Sequence, residues 1–273
     1  MRILLIGTGY VGMALTASWE NPSDHFLATT TTASKLEMIA SQKSVMKSII
    51  LEIKNGTDIE PLLEGCEAVI VTVAPKRGGG YREIYLNTAL CLKEGLKKRS
   101  EPLFVLYTGS TAVYGNQEGA GVDEESSLAC ASERSDILSD VEDVFLSCQN
   151  DQIQVCILRL GGIYGSMRSL EMRAERVSKK TMNGSGKEVT NHIHLDDITS
   201  AIAFCVENRL SGVYNLVNDD HPSRELLYST LCKKMHLPPP VWEGGDTCST
   251  NATVSNAKIK KAGYLFKQPH VSF

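Results

Sequence analysis

Gly7, Gly9 and Gly12 stand in the spacing G-x-G-x-x-G directly behind the apolar run Ile3-Leu4-Leu5-Ile6, and a helical pattern from Val11 to Trp19 follows. A strand that turns through such glycines into a helix suits a diphosphate. The first glycine permits the tight turn, the second lets an anion approach bare backbone, and the third lets helix and strand pack closely. The first amides of a helix have no carbonyl partner within it, and the helix dipole adds partial positive charge at that end. Gly7, Thr8, Gly9, Tyr10, Val11 and Gly12 are therefore the expected contacts for the pyrophosphate of a dinucleotide. An acidic residue at the end of the second strand would take a ribose 2′-hydroxyl. The chain instead reads Thr29-Thr30-Thr31-Thr32-Ala33-Ser34-Lys35 there. Hydroxyls and a lysine without a carboxylate fit a 2′-phosphate, so Thr31, Thr32, Ser34 and Lys35 favour NADP over NAD. Ser34 is also placed to cap the helix that follows.

Other residues carry chemistry of their own. Lys76-Arg77-Gly78-Gly79-Gly80-Tyr81 is a flexible, basic stretch. It could close over a ligand and bring Arg77 to an anionic group, with Tyr81 as a proton donor; a plain surface loop is the competing reading. His192 and His194 form His-x-His, whose rings share one face of a strand. Nothing nearby completes a ligand set, so no metal site is expected. The eight cysteines, Cys66, Cys91, Cys130, Cys148, Cys156, Cys205, Cys232 and Cys248, include no C-x-x-C pair. Most lie in apolar runs, as small buried hydrophobes of a reducing compartment do.

The elements that must hold these groups follow from the apolar pattern. Strands are expected at Arg2–Ile6, Phe26–Thr30, Ile49–Ile53, Ala68–Val73, Leu103–Tyr107 and Gln154–Leu160. Helices are expected at Val11–Trp19, Ser34–Ser41, Asp58–Leu63, Ile84–Lys98 and Ser132–Cys148. Val- and Ile-rich strands alternating with helices predict an α/β fold, a doubly wound parallel Rossmann sheet. Beyond Gly165 the alternation loosens into a helix over Leu170–Thr181, a turn at Asn183-Gly184-Ser185-Gly186, a short strand through Ile193 and a helix from Leu195 to Glu207. A strand at Val213–Leu216 and a helix over Arg224–Met235 follow. The expected organisation is a nucleotide domain over residues 1–165, with a return segment near 190–217, and a smaller C-terminal substrate lobe within 166–273.

Composition narrows the partners. The chain has 273 residues, a net charge of -4 and 42% hydrophobic residues. No basic run is long enough to suggest nucleic acid, and no apolar run approaches the length of a bilayer span. Met1 to Ile6 reads as a strand rather than a leader, because glycine follows at once. A cytoplasmic protein that binds a dinucleotide and a small-molecule substrate, with neither nucleic acid nor membrane as partner, is expected.

Four further stretches resemble the extended short-chain dehydrogenase/reductase superfamily, also called the NAD-dependent epimerase/dehydratase family. They are Thr108-Gly109-Ser110-Thr111-Ala112-Val113-Tyr114-Gly115, Leu158 through Gly165, Asn191-His192-Ile193-His194-Leu195-Asp196-Asp197, and Gly212-Val213-Tyr214-Asn215-Leu216. With the glycine loop they span most of the chain in the family's order. The G-x-G spacing, followed by Val71-Thr72-Val73-Ala74-Pro75, is similar to the superfamily's atypical branch and adds Val73, Ala74 and Pro75 to the cofactor contacts. The resemblance places Ser110 at the active-site Ser/Thr, with Thr111 beside it, and Arg168 at a substrate-binding arginine. Asp197 would open the helix that returns the chain to the nucleotide domain. Relatives often dimerise through the fourth and fifth helices, so a homodimer is a further expectation. The carboxylates of Asp136, Asp140, Glu142 and Asp143 would make that face costly if unpaired.

The family's Tyr-x-x-x-Lys pair is missing. Ser132 stands where the tyrosine belongs and Asp136 where the lysine belongs. A serine hydroxyl is too weak an acid to replace a phenol, and an aspartate brings the wrong charge. Tyr114, Tyr164 and Tyr81 are the candidate substitute acids, Tyr164 being carried as a catalytic candidate with Ser110 and Thr111. Two functions stay open: an NAD(P)-dependent oxidoreductase or epimerase-like enzyme acting on a small carbonyl or sugar-like substrate, and a non-catalytic NADP(H)-binding regulator or scaffold.

Overall fold

Ile3, Leu4, Leu5 and Ile6 bury almost all of their surface, as a strand covered on both faces must. They form β1 (Arg2–Ile6), an interior strand of the main sheet of the computed structural model, which describes residues 1–75, 80–130, 132–245 and 250–271. The first half of the chain continues with α1 (Tyr10–Ser18), β2 (His25–Thr30), α2 (Leu36–Ala40), β3 (Val45–Ile50), α3 (Glu60–Leu63), β4 (Ala68–Val71), α4 (Asn87–Leu96), β5 (Leu103–Ser110), β6 (Asn116–Val122) and α5 (Glu133–Leu146). Next come β7 (Ile153–Leu160), β8 (Gly162–Tyr164), α6 (Leu170–Val177), β9 (Thr181–Met182), β10 (His192–His194), α7 (Leu195–Glu207) and β11 (Gly212–Leu216). The last elements are α8 (Arg224–Lys234), β12 (Val241–Trp242), β13 (Asn251–Val254) and α9 (Ala257–Lys261).

Seven strands form the main sheet in the order β3-β2-β1-β4-β5-β7-β11, a parallel sheet with flanking helices and a Rossmann-like α/β fold. The chain winds outward from β1 through β2 to β3, then restarts at β4 on the other side of β1. Ligands bind beyond the carboxyl ends of the strands at such a reversal, and the glycine loop leaves β1 there.

Several expected boundaries move. The third strand runs over Val45–Ile50 rather than Ile49–Ile53, because its partners on β2 pair Phe26 with Val45 through Thr30 with Ile50. The helix expected over Ser34–Ser41 divides into a 3₁₀ turn at Ala33–Lys35 and α2. Ser34 sits inside that turn and is not its cap. The helix expected over Leu170–Thr181 ends at Val177, and Thr181 pairs as a strand with Val241. Of the four acidic residues on α5 that would make a dimer face costly, Glu142 is only 2% exposed. Its Oε1 would lie 3.0 Å from a Cβ at Gly109, so the glycine makes room for the carboxyl.

The described residues group into two compact units. The first comprises Met1–Gly109, Asp136–Leu158 and Thr199–Val213; the second comprises Ser110–Ser135, Arg159–Ile198 and Tyr214–Phe273. Within the first, side chains from β1, β4, β5, α4 and α5 share one core that includes Leu4, Val69, Leu92, Val105, Val141 and Phe145. Each such aliphatic or aromatic side chain contributes roughly 1.5–3 kcal/mol on burial. Within the second, Tyr164, Leu170, Ala174, Leu227, Leu231, Cys232 and Val271 form a separate cluster. Six of the described cysteines are buried and Cys130 is half-buried; Cys248 lies outside the described residues. No described helix is long and apolar enough to cross a membrane.

Candidate functional site

The turn between β1 and α1 is fastened from three sides. The Gly7 amide donates to Thr29 Oγ1 at 3.1 Å, and the Thr8 amide donates to the Thr29 carbonyl at 2.8 Å. The Gly7 carbonyl accepts the Gly9 amide at 2.8 Å and the Thr72 hydroxyl at 2.7 Å. Gly7 holds a φ of +97°, and a Cβ there would lie 2.9 Å from the backbone of Val73. At Gly12 a Cβ would lie 2.7 Å from the Gly7 carbonyl oxygen. These two glycines are required by the protein's own packing. Gly9 is different, since a Cβ there would meet nothing within 4 Å. Its missing side chain leaves open space over the start of α1.

That helix start has the character of an anion site. Gly9 supplies no side-chain cap, and no acidic residue occupies the first turn, so neither competes for the first amides or the dipole. The Thr8 hydroxyl is buried and has no hydrogen-bond partner among the described residues, an arrangement that costs about 1–3 kcal/mol unless a ligand or water satisfies it. A dinucleotide diphosphate fits the open space at Gly9, the vacant hydroxyl at Thr8 and the uncapped helix together. Around this turn, Val73 packs on Gly7, Ala74 is exposed and Pro75 is half-buried. At the end of β2, Thr31 is exposed, Thr32 precedes the 3₁₀ turn, and Ser34 and Lys35 lie in it. Thr29 and Thr72, which fasten the loop, were not among the expected contacts; only their hydroxyls beside a glycine loop hint at them in the sequence.

A second concavity lies within the second unit. It has a volume of about 730 Å³, and Ser110, Thr111, Asn183, His192, Arg224 and Tyr228 are among its lining residues. Ser110 ends β5, and its Oγ accepts the Ala112 amide at 3.2 Å, which starts the 3₁₀ turn Thr111–Tyr114. Its own O–H remains available to donate. Thr111 Oγ1 donates to the Leu160 carbonyl at 3.4 Å. His192 is 5% exposed, and its Nδ1 is buried without a hydrogen-bond partner among the described residues. Burial, with Arg173 and His221 nearby, lowers its pKa from the ordinary 6.5 to about 4. Arg224 lies with its guanidinium 4.8 Å over the Trp242 ring, donates to the Asn183 carbonyl at 3.1 Å and faces Glu188 at 3.7 Å. Arg224 and Tyr228 carry no motif and were not singled out from the sequence.

The remaining expected residues are not gathered at this cleft. The Tyr164 hydroxyl donates to the His270 carbonyl at 3.4 Å, and its ring packs edge-on against His192 and His194 at 6.2 and 5.0 Å. One aromatic ring thus fills the face that the two imidazoles share. Tyr114 is fully buried, donating to Asn215 Oδ1 at 2.9 Å and accepting from Arg159 at 2.8 Å. Arg168 is exposed in the turn after β8. Tyr81 is half-buried, with its ring 5.3 Å from that of Tyr85 across a π-helical turn, Arg82–Leu86. Arg77 lies outside the described residues. Ser132 and Ser135 exchange bonds reciprocally: the Ser135 amide donates to Ser132 Oγ at 3.2 Å, and the Ser132 amide donates to Ser135 Oγ at 3.0 Å. Ser132 therefore caps α5, a role that a tyrosine ring could not fill. Asp197, expected as a favourable helix opener, is fully buried and holds the chain's last segment. It accepts the Tyr264 hydroxyl at 3.0 Å and the amides of Lys267 and Gln268 at 2.6 and 2.9 Å.

Residues 3–217 match the family model described as the NAD dependent epimerase/dehydratase family. Protein YeeZ of Escherichia coli strain K12 is 23% identical over 275 residues, covering 98% of this chain and 96% of that protein. Among solved structures, a functionally unknown conserved protein from Silicibacter pomeroyi is 22% identical with a TM-score of 0.78, over 99% of this chain and 95% of that one. UDP-glucuronic acid 4-epimerase from Bacillus cereus, solved with NAD, is 19% identical with a TM-score of 0.77, over 96% and 92%. Human epimerase family protein SDR39U1, solved with NADPH, is 16% identical with a TM-score of 0.74, over 99% and 96%. These structures share the fold.

Proposed function

The chain belongs to the NAD dependent epimerase/dehydratase family, and from that premise we propose that it is an NAD(P)-dependent oxidoreductase or epimerase-like enzyme acting on a small carbonyl or sugar-like substrate. The observation that carries the reading is the phosphate turn, where Gly9 faces open space beside the unsatisfied Thr8 hydroxyl. Gly7, Thr8, Gly9, Tyr10, Val11 and Gly12 would hold the diphosphate. Val73, Ala74 and Pro75 would flank it, and Thr31, Thr32, Ser34 and Lys35 would receive the adenosine ribose. Their hydroxyls and single cation favour NADP. When bound, the dinucleotide supplies reversible two-electron oxidation of a carbinol carbon. Ser110, with its hydroxyl proton still available, and Thr111 would orient a substrate oxygen in the second unit's cleft. We place Arg77, Tyr81 and Arg168 as further substrate contacts, each able to hydrogen-bond a substrate hydroxyl.

A second reading has its own support. With Ser132 engaged as a helix cap and Asp136 in place of a lysine, the usual acid is lacking, which favours a regulator that senses NADP(H) without turnover. Calorimetry with NAD, NADH, NADP and NADPH tests the shared premise, and failure of all four to bind ends both readings. Transfer of label from deuterated NADPH to any of a panel of sugar-like carbonyl compounds supports the enzyme; saturable cofactor binding with no transfer to any of them supports the regulator.

A further inference from the structure

Taking the second unit's cleft as the substrate site of the proposed function, we propose that it receives an uncharged, polyhydroxylated ligand, a sugar-like compound bearing no phosphate or diphosphate.

Three observations carry this. First, Arg224 is the only cationic side chain among the described residues that line the cleft, and it is already engaged. It faces Glu188 at 3.7 Å, donates to the Asn183 carbonyl at 3.1 Å and lies over Trp242. Although burial raises the Glu188 pKa, the Ser185 amide and hydroxyl, at 2.7 and 3.1 Å, and Arg224 hold it below the ordinary carboxylate value. The two side chains therefore neutralise each other. An incoming phosphate would have to share the guanidinium with Glu188, the Asn183 carbonyl and the Trp242 ring. Second, the helix start that borders the cleft offers no anion site. In α8 the Arg224 amide donates to the Glu188 carbonyl at 3.0 Å and the Glu225 amide to the Gly186 carbonyl at 2.8 Å. The Leu226 amide donates to Ser223 Oγ at 3.1 Å. Every first-turn amide is bonded, in contrast with α1, whose cap residue is a bare glycine. Third, His192 adds no charge at neutral pH but has a buried nitrogen without a partner among the described residues.

What remains in the lining is hydroxyl, amide and apolar surface: Ser110, Thr181, Asn183 and Tyr228 beside Leu227 and Met182. Hydroxyls and amides exchange hydrogen bonds with a polyol, and the apolar side chains receive its C–H faces. The volume of about 730 Å³ admits a small oligohydroxy ligand. A diphosphate would find Arg224, already paired with Glu188, as the single cation among the described lining residues.

The test uses the full chain saturated with whichever of NADH or NADPH binds more tightly, so that nucleotides are kept from the glycine turn. Methyl glucoside, N-acetylglucosamine, their UDP-linked counterparts and inorganic pyrophosphate are titrated by saturation-transfer NMR and calorimetry. A neutral sugar should bind saturably, its UDP-linked form should bind no more tightly than it, and pyrophosphate should give no heat. Arg224→Gln should leave the ratio of the two sugars within about twofold. Thr181→Trp, which fills the cleft from an exposed position, should abolish the neutral-sugar signal. A UDP-sugar that binds at least about tenfold more tightly than its neutral partner, and loses that advantage in Arg224→Gln, would overturn the proposal, as would no signal from either neutral sugar. If neither dinucleotide binds but a Thr181→Trp-sensitive sugar signal persists, the cofactor reading fails and this one stands.

Discussion

The carbonyl oxygen of Gly7 accepts the hydroxyl of Thr72 at 2.7 Å, which ties the phosphate turn to the end of the neighbouring strand. The bond separates two roles among the loop glycines. Gly7→Ala places a methyl 2.9 Å from the Val73 backbone at a φ of +97°. It should cost roughly 2 kcal/mol and lower Tm by several degrees. Gly9→Ala points its methyl into open space, so Tm should fall less while the NADPH Kd rises about tenfold or more. Calorimetry and thermal melts on both variants check the pair. Wild-type affinity in Gly9→Ala would show that the open space at Gly9 does not hold the diphosphate.

Tyr107 stacks on Phe145 with ring centroids 4.7 Å apart, and its buried hydroxyl has no hydrogen-bond partner among the described residues. Burial, with Tyr85, Glu142 and Tyr81 nearby, pushes its phenol well above the ordinary value, so the proton stays on. Tyr107→Phe should therefore stabilise the fold by about 1 kcal/mol. Urea unfolding reads this directly, and a loss of stability would mean the hydroxyl has work that its geometry does not disclose.

Asp197 gathers the Tyr264 hydroxyl and the amides of Lys267 and Gln268. Asp197→Asn weakens charge-assisted bonds and should cost roughly 2–3 kcal/mol. Limited trypsin digestion should then cut first after Lys267. Unchanged resistance at that bond would show that the last segment is held by other contacts.

His192 titrates at about 4 in the folded protein against an ordinary 6.5. The unfolded chain therefore takes up the proton first. The stabilisation is complete above pH 6.5 and is lost as pH falls toward 4, by up to about 3 kcal/mol. His192→Phe should flatten urea midpoints over that window relative to wild type. An equally steep decline in the variant would assign the acid sensitivity elsewhere.

The sheet and the glycine turn were legible because a buried parallel strand is continuously apolar and because G-x-G-x-x-G has meaning only between a strand and a helix. The third strand was harder. It lies at the sheet edge with Met46 and Ile50 exposed, so the apolar alternation at Ile49–Ile53 points to the wrong register. Residues Asn116–Val122, reading Asn-Gln-Glu-Gly-Ala-Gly-Val, have little strand propensity; pairing with Asn251–Val254 makes them a strand. Ser132 could be recognised as an unsuitable acid, but its partnership with Ser135 appears only in the fold. Glu142 reads as a surface charge on any acidic helix, and only the glycine at 109 reveals the space made for it. Arg224 was silent for the same reason, since its partners Glu188, Asn183 and Trp242 are distant in sequence or unremarkable in type.

The two compact units are each assembled from three separate stretches of chain. During synthesis, the glycine turn emerges early, yet the unit that contains it lacks its last stretch until residue 213 has left the ribosome. The other unit waits for the final residues. Nascent chains must therefore carry half-built apolar surfaces for most of translation, and a gene cut anywhere between residues 110 and 213 yields neither unit whole.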